Sequence, residues 1–133
     1  MTKKSKKILS EISAGELLDK ISILEIKLEK INNKVSLNEI KKEYKILIEI
    51  RRSAVEFTDE IKDLFKSIKE VNLNLWNIED KLRICEKNKD FGKDFVQLAR
   101  EVYFNNDKRS KIKSKINEKL NSNIREIKHY ADY

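Results

Sequence analysis

From residue 13 onward the apolar positions recur at helical spacing. Leu17, Ile21, Leu24, Leu28 and Ile31 follow at steps of 4, 3, 4 and 3, which places them on one face of a helix. Ser13, with Glu16 three residues later, forms a capping box that opens this first helix. Asn32-Asn33 closes it. Ser36 with Glu39 repeats the signal and predicts a second helix, with Ile40, Tyr44, Leu47, Ile50 and Ala54 inward. The strongest pattern comes next. Phe57, Ile61, Leu64, Ile68, Val71, Leu75, Ile78, Leu82 and Cys85 alternate steps of 4 and 3. This heptad seam requires one helix of about 43 Å. Thr58-Asp59-Glu60 reads as an N-cap with an acidic first turn, so the chain breaks between the second and third helices near residues 55–59. Lys87 to Lys89 make a tight connection, and Asp90 caps a last long helix. Its inner face is Phe91, Phe95, Leu98, Ala99, Val102, Ile112, Ile116 and Leu120, with Asn105, Asn106 and Arg109 at the intervening seam positions. Ile124 to Tyr133 form a short C-terminal piece.

Short connections between long helices make neighbours antiparallel. The expected fold is therefore all-α: an antiparallel helical bundle of four main helices plus the C-terminal piece. A basic N-terminal arm, residues 1–12, leads into a single helical-bundle domain, residues 13–133. Composition supports this. The chain has 133 residues, 40% charged, no Pro and only two Gly, which suits long amphipathic helices. The same counts exclude several chemistries. Gly15 and Gly92 lie far apart, so no phosphate-cradling loop exists. One Cys and one His do not supply a zinc cluster. No catalytic residue is assigned and no cofactor is implied. No apolar run approaches a membrane span of about 18 residues, and no apolar segment of a signal peptide follows the lysines of residues 1–7. The lone Cys85 suits a reducing, cytoplasmic compartment.

Net charge is +7, but it is unevenly placed. Four lysines stand in residues 1–7. Eight basic and two acidic side chains stand in residues 108–128, and the middle of the chain is slightly acidic. The chain is rich in Lys, Ile and Asn, residues that A/T-rich codons favour, so base composition explains part of the lysine excess.

Three blocks carry a family resemblance. They are Gly15-Glu16-Leu17-Leu18-Asp19-Lys20 with Ile23-Leu24-Glu25-Ile26-Lys27; Val71-Asn72 with Leu75-Trp76 and Ile78-Glu79-Asp80; and Phe91-Gly92, Leu98-Ala99-Arg100, Val102-Tyr103 and Asn106-Asp107 with Arg109 and Ile116-Asn117. Together they resemble a small bacterial and phage family of unknown function. Its members are similar in length and are sometimes encoded near genes for surface-sugar synthesis. The resemblance implies a shared helical fold and no particular activity.

Three constellations are candidates for function. Asn72, Trp76, Glu79 and Arg83 form a polar seam one position off the heptad. A hairpin centred near residue 88 pairs residues whose numbers sum to about 177. Arg100 then reaches Glu79 or stacks on Trp76, and Asn72 meets Asn105 and Asn106. This seam is either a structural layer that fixes helix register or a ligand pocket. The binding candidates are Trp76, Glu79, Arg83, Arg100, Tyr103, Asn106 and Arg109. The second constellation is the polar face of the first helix, Glu16, Asp19 and Lys20, with Glu16 expected near Arg51 and Arg52. It reads as an ion-pair face. The sharper alternative joins Glu16 and Asp19 to Glu79 and Asp80 as a carboxylate cage for Mg²⁺, as in helical nucleotide pyrophosphohydrolases. The paired-glutamate helix of such enzymes is missing upstream. The third is a lysine stripe, Lys108, Lys111, Lys115 and Lys119, either a solvated face or a track for phosphates or anionic lipid headgroups. No aromatic side chain interleaves it, which argues against nucleic acid.

Ile23 and Ile26 lie off the main stripe of the first helix. With the long heptad helix they predict a homodimer. Cys85 falls on the seam as core filler, and His129 has no partner that would make it an acid or base. The leading expectation is a non-enzymatic helical interaction or adaptor module with an unidentified protein partner, linked to surface-polysaccharide or sugar-transfer systems. The alternative is a protein that binds a small molecule, an anionic sugar or a nucleotide at the polar seam. Nucleic-acid binding through the lysine stripe ranks third.

Overall fold

Helix starts are set by side chains that satisfy otherwise unpaired amides. Ser13 Oγ accepts the Glu16 N–H at 3.1 Å, Asn33 Oδ1 that of Ser36 at 3.0 Å, and Thr58 Oγ1 that of Ile61 at 3.3 Å. The computed structural model describes residues 3–133, and Met1 and Thr2 of the expected arm lie outside the described residues. It contains α1 (Ala14–Lys30), α2 (Lys34–Ala54), α3 (Asp59–Lys87) and α4 (Lys93–Lys119). The fold is all-α, and the break between α2 and α3 falls where the sequence put it. No helix is long and apolar enough to cross a membrane among the described residues. Two caps differ from expectation. Asn33, not Ser36, caps α2, because its side chain already holds the Ser36 amide. Gly92, not Asp90, caps α4. Asp90 is committed to ending α3: its N–H bonds Cys85 O at 2.9 Å and Lys89 N–H bonds Glu86 O at 3.2 Å, with Lys89 in the left-handed region at φ 53. This is a Schellman closure. The same closure ends α4, with Asn121 at φ 48 and Ser122 N–H on Asn117 O. The expected C-terminal piece, residues 124–133, is not helical.

α3 and α4 form an antiparallel hairpin, and Lys119 pairs with Glu60 at its open end at 3.1 Å. α1 packs against each of the other three helices. It lies across the hairpin: its first half meets α4, through Gly15 with Asn117 and Asp19 with Arg109, and its second half meets α3, through Ser22 with Asn72 and Glu25 with Lys69. α2 packs on α1, where Tyr44 donates to Glu25 at 3.0 Å. Leu17, Leu18, Ile21, Ile48, Ile61 and Ile116 form the core. The inner face of α2 is therefore rotated from the expected one: Ile48 is buried, whereas Ile50 and Ala54 are exposed. The heptad seam of α3 points inward as expected, with Ile61, Ile68, Val71 and Ile78 buried.

Because α1 touches three helices it buries two stripes. The apolar one was legible. The second, Gly15, Leu18, Asp19, Ser22 and Ile26, is mostly small or polar. Ile26 is buried and Ile23 half-buried, so the second apolar patch of α1 is largely covered within the chain itself.

Candidate functional site

Gly15 is the pivot of the site. Its N–H donates to Asn117 Oδ1 at 2.7 Å. A Cβ here would stand 2.7 Å from the Lys113 carbonyl oxygen and 2.9 Å from Asn117 Oδ1, so only glycine lets α1 lie this close to α4. The Schellman turn after α4 presents Ser122 Oγ to the Ala14 N–H at 3.0 Å. The start of α1 is thus fastened to the end of α4 through its own unpaired amides.

One turn further along, Asp19 enters the space between α1, α3 and α4 with no exposed surface. Arg109 Nε lies 3.0 Å from each of its carboxylate oxygens, and Arg109 Nη2 donates to Oδ2 at 2.6 Å. Asn72 Nδ2 donates to Asp19 Oδ1 at 2.8 Å and to Ser22 Oγ at 2.7 Å. Ser22 Oγ donates back to the Asp19 carbonyl at 2.7 Å. Lys113 Nζ stands 3.4 Å from Asp19 Oδ2 and donates to Glu16 Oε2 at 2.6 Å and to Glu126 Oε2 at 3.2 Å. Every buried polar side-chain atom among the described residues has a partner. Burial alone would lower the Lys113 pKa, but the hydrogen bond to Glu16 and the charge of Asp19 outweigh it and hold the ammonium above its ordinary 10.5. The Lys113 hydrogen bond in turn lowers Glu126.

The network is closed on the core side and open on one flank. Arg109 uses Nε and Nη2 on Asp19, and no acceptor among the described residues meets its Nη1. Likewise Asn72 uses its amide hydrogens inward, and no donor meets its Oδ1. Both residues line a cleft of about 300 Å³. Ile23 and Ile26 of α1 form one wall; Leu75, Trp76, Glu79 and Asp80 of α3 form the other. Trp76, Glu79, Asp80 and Arg109 thus border one apolar-walled space, with the Glu79 carboxylate also paired with Arg83.

The sequence candidates divide accordingly. Trp76, Glu79 and Arg109 reach the cleft. Arg83 is at the exposed surface, paired with Glu79. Arg100 does not reach Glu79 or Trp76; its guanidinium lies over Phe104, 5.7 Å from the ring centroid. Tyr103 is exposed and packs on Tyr133, and Asn106 is exposed. The two-helix pairing omitted α1, and α1 is what Asn72 and Arg109 turn towards. Asn105 bonds its own helix at the Glu101 carbonyl instead of Asn72. Glu16 meets Lys113 and Lys20 rather than Arg51 and Arg52, and Arg51 stacks on Phe57. The carboxylate cage does not assemble, because cations already hold Glu16 and Asp19. No group of three or more His, Cys, Asp or Glu side chains suited to a metal gathers among the described residues. Lys108, Lys111 and Lys115 are exposed, while Lys119 is tied to Glu60. Cys85 is a half-buried free thiol on the seam.

Lys113, Ser22, Ser122 and Glu126 were not singled out from the sequence, and Asn117 entered only as part of a resemblance block. The signal for them was the stripe Gly15, Asp19, Ser22, Ile26, stepping 4, 3 and 4: small and polar residues at core spacing mark a close helix contact with polar partners opposite. No curated protein and no solved structure gives a significant match to the chain. The sequence model of a family of unknown function (DUF6165) matches residues 8–132, nearly the whole chain, and the chain belongs to that family.

Proposed function

We propose that this chain is a small-molecule-binding helical module whose site is the cleft between α1 and the middle of α3. The observation that carries the reading is Arg109. Its guanidinium is locked by a buried carboxylate, and its remaining N–H groups stand in a cleft with Trp76, Glu79 and Asp80. Buried ion pairs are no better for stability than apolar residues of similar size. A network of this kind suits the orienting of a donor better than the stabilising of a core.

The ligand class follows from the groups present. Trp76 offers a flat apolar face. Arg109 donates, whereas Glu79, Asp80 and Asn72 Oδ1 accept. Arg109 is already neutralised by Asp19 and Glu79 by Arg83, which leaves the Asp80 charge uncompensated and disfavours a polyanion. A ring bearing several hydroxyls, each both donor and acceptor, matches the set: a sugar-like ligand, neutral at the end that enters the cleft. A thermal-shift panel of monosaccharides, polyols and nucleotide-sugars tests this. A ligand at a hundred times its Kd stabilises by about 2.7 kcal/mol. The shift is expected to vanish in Glu79→Gln with Asp80→Asn while the unliganded Tm stays the same. If no compound on the panel shifts the folded parent, the reading fails.

A second reading rests on a different observation. Beyond α1 the α3–α4 hairpin continues alone, with Leu82, Cys85, Phe95 and Leu98 half-buried and Ile84, Phe91 and Val96 exposed. This end suits a helical protein partner, a second copy being the simplest. Light scattering of the parent against Ile84→Lys with Val96→Lys separates a dimer made here from a monomer.

A further inference from the structure

The two ends of the chain meet at one corner of the fold. Asn123 Nδ2 donates to Glu11 Oε2 at 2.7 Å, beside the Ala14 to Ser122 bond. From that corner residues 3–12 run without helix or strand, and all are exposed. Lys3, Lys4, Lys6 and Lys7 come first. Ile8 and Leu9, next in line, are each 89% exposed, and Ile12 is also exposed. The tail leaving the same corner adds Ile127 at 87% and Tyr130 at 71%, with Arg125 and Lys128 between and before them. Exposed single apolar residues are ordinary. Adjacent ones on an unstructured basic segment, with more apolar side chains on the neighbouring segment, are not explained by packing.

The arm has a latent pattern. Projected as a helix, Ile8, Leu9 and Ile12 share an arc of about 100°, and the four lysines spread over an arc of about 160° on the other side. A helix of this length is marginal in water, which agrees with its non-helical state here. It is the pattern of an amphipathic segment that folds where one side meets hydrocarbon and the other meets anionic headgroups. Nucleic acid would use the lysines but leave Ile8, Leu9 and Ile12 in water, and the arm has no ring to stack on bases.

We propose that residues 3–12, together with the adjoining tail, dock this protein peripherally on an anionic lipid surface. The lysines contact headgroups, Ile8, Leu9 and Ile12 enter the acyl boundary, and Ile127 with Tyr130 makes a second contact. This surface is separate from the cleft, and neither requires the other. One weak anchor gives only reversible binding, and basic and apolar contributions act together.

The test is co-sedimentation of the full chain with vesicles of phosphatidylcholine alone and with about 30 mol % phosphatidylserine. Binding is expected only to the anionic vesicles, with a gain of helix by circular dichroism. Replacing Lys3, Lys4, Lys6 and Lys7 with Gln is expected to weaken binding about fivefold per lysine. Ile8→Ser with Leu9→Ser is expected to weaken it at least about tenfold while its salt dependence persists. Both variants alter exposed side chains outside the helices, so an unchanged Tm confirms the fold. The proposal is overturned if the parent ignores anionic vesicles at low salt or if the serine pair binds as tightly as the parent. It is also overturned if duplex DNA binds more tightly than the vesicles and the serine pair leaves that binding unchanged.

Discussion

The same two helices behave in opposite ways at their two ends. Where α1 lies across them, α3 and α4 bury Asn72, Lys113 and Asn117, and Asp19 disappears completely. Towards the turn that joins them no third helix covers them, and apolar seam residues such as Leu82 and Phe95 stay half in water, with Ile84 and Val96 more than half exposed. Burial here is decided by how many helices converge, not by hydrophobicity. A two-helix hairpin covers one face of each partner. A third helix covers a second face, and whatever stands there must be paired. Each charged group at the crossing has an opposite charge beside it, and the N–H groups that Arg109 has left over open onto the cleft.

The largest expected effect tests the crossing. Asp19→Ala leaves Arg109 and Lys113 facing each other without their carboxylate, and stability should fall by about 3–5 kcal/mol in urea unfolding. A loss below 1 kcal/mol would mean that water reaches the network and that it is not buried in solution. Next comes Gly15→Ala. Alanine is the better helix former by about 1 kcal/mol, yet its Cβ meets the Lys113 carbonyl, a backbone atom. A net loss of about 1–3 kcal/mol is expected; a gain would show that α1 does not sit so close to α4. At the other end, Leu82→Ala should cost about 1–2 kcal/mol, less than for a fully buried leucine. A larger loss would indicate that a partner covers the distal seam.

pH separates the two regions more gently. Glu126 is lowered below its ordinary 4.5 by Lys113, so its contribution is complete above that value and disappears as pH falls through the folded one. Acid should loosen the tail from α4 before the helices melt, visible as faster tail amide exchange. Lys113 is raised, so its contribution is complete below 10.5 and is lost only as alkali passes the folded value. The smallest effect belongs to the distal surface: Arg83→Ala removes an exposed pair with Glu79 and should change stability by less than about 0.5 kcal/mol.

Much of this fold is legible in the sequence, for physical reasons. Heptad spacing reports the faces that pack, and Ser13 and Thr58 report helix starts, because both signals are local. Local signals do not say that α1 lies across the hairpin, and without that crossing Arg100 was paired with Glu79 or Trp76 and the bond of Arg109 to Asp19 was missed. Trp76, Glu79 and Arg109 were identified by residue type and spacing. Their convergence depends on a third helix whose polar stripe resembles an ordinary solvated face until its burial is known. Lys113 was absorbed into the count of a basic C-terminal region, although it is among the buried charges of the molecule.

Trp76 is the only tryptophan in the chain, so its emission reports on the cleft alone. Titration of the folded protein with hydroxyl-rich ring compounds, followed at that emission, is the most direct test of the central claim. The account predicts a saturable change for at least one such compound, weakened by Glu79→Gln with Asp80→Asn and unaffected by Arg100→Ala. A response identical in all three proteins, or none in any, would contradict it.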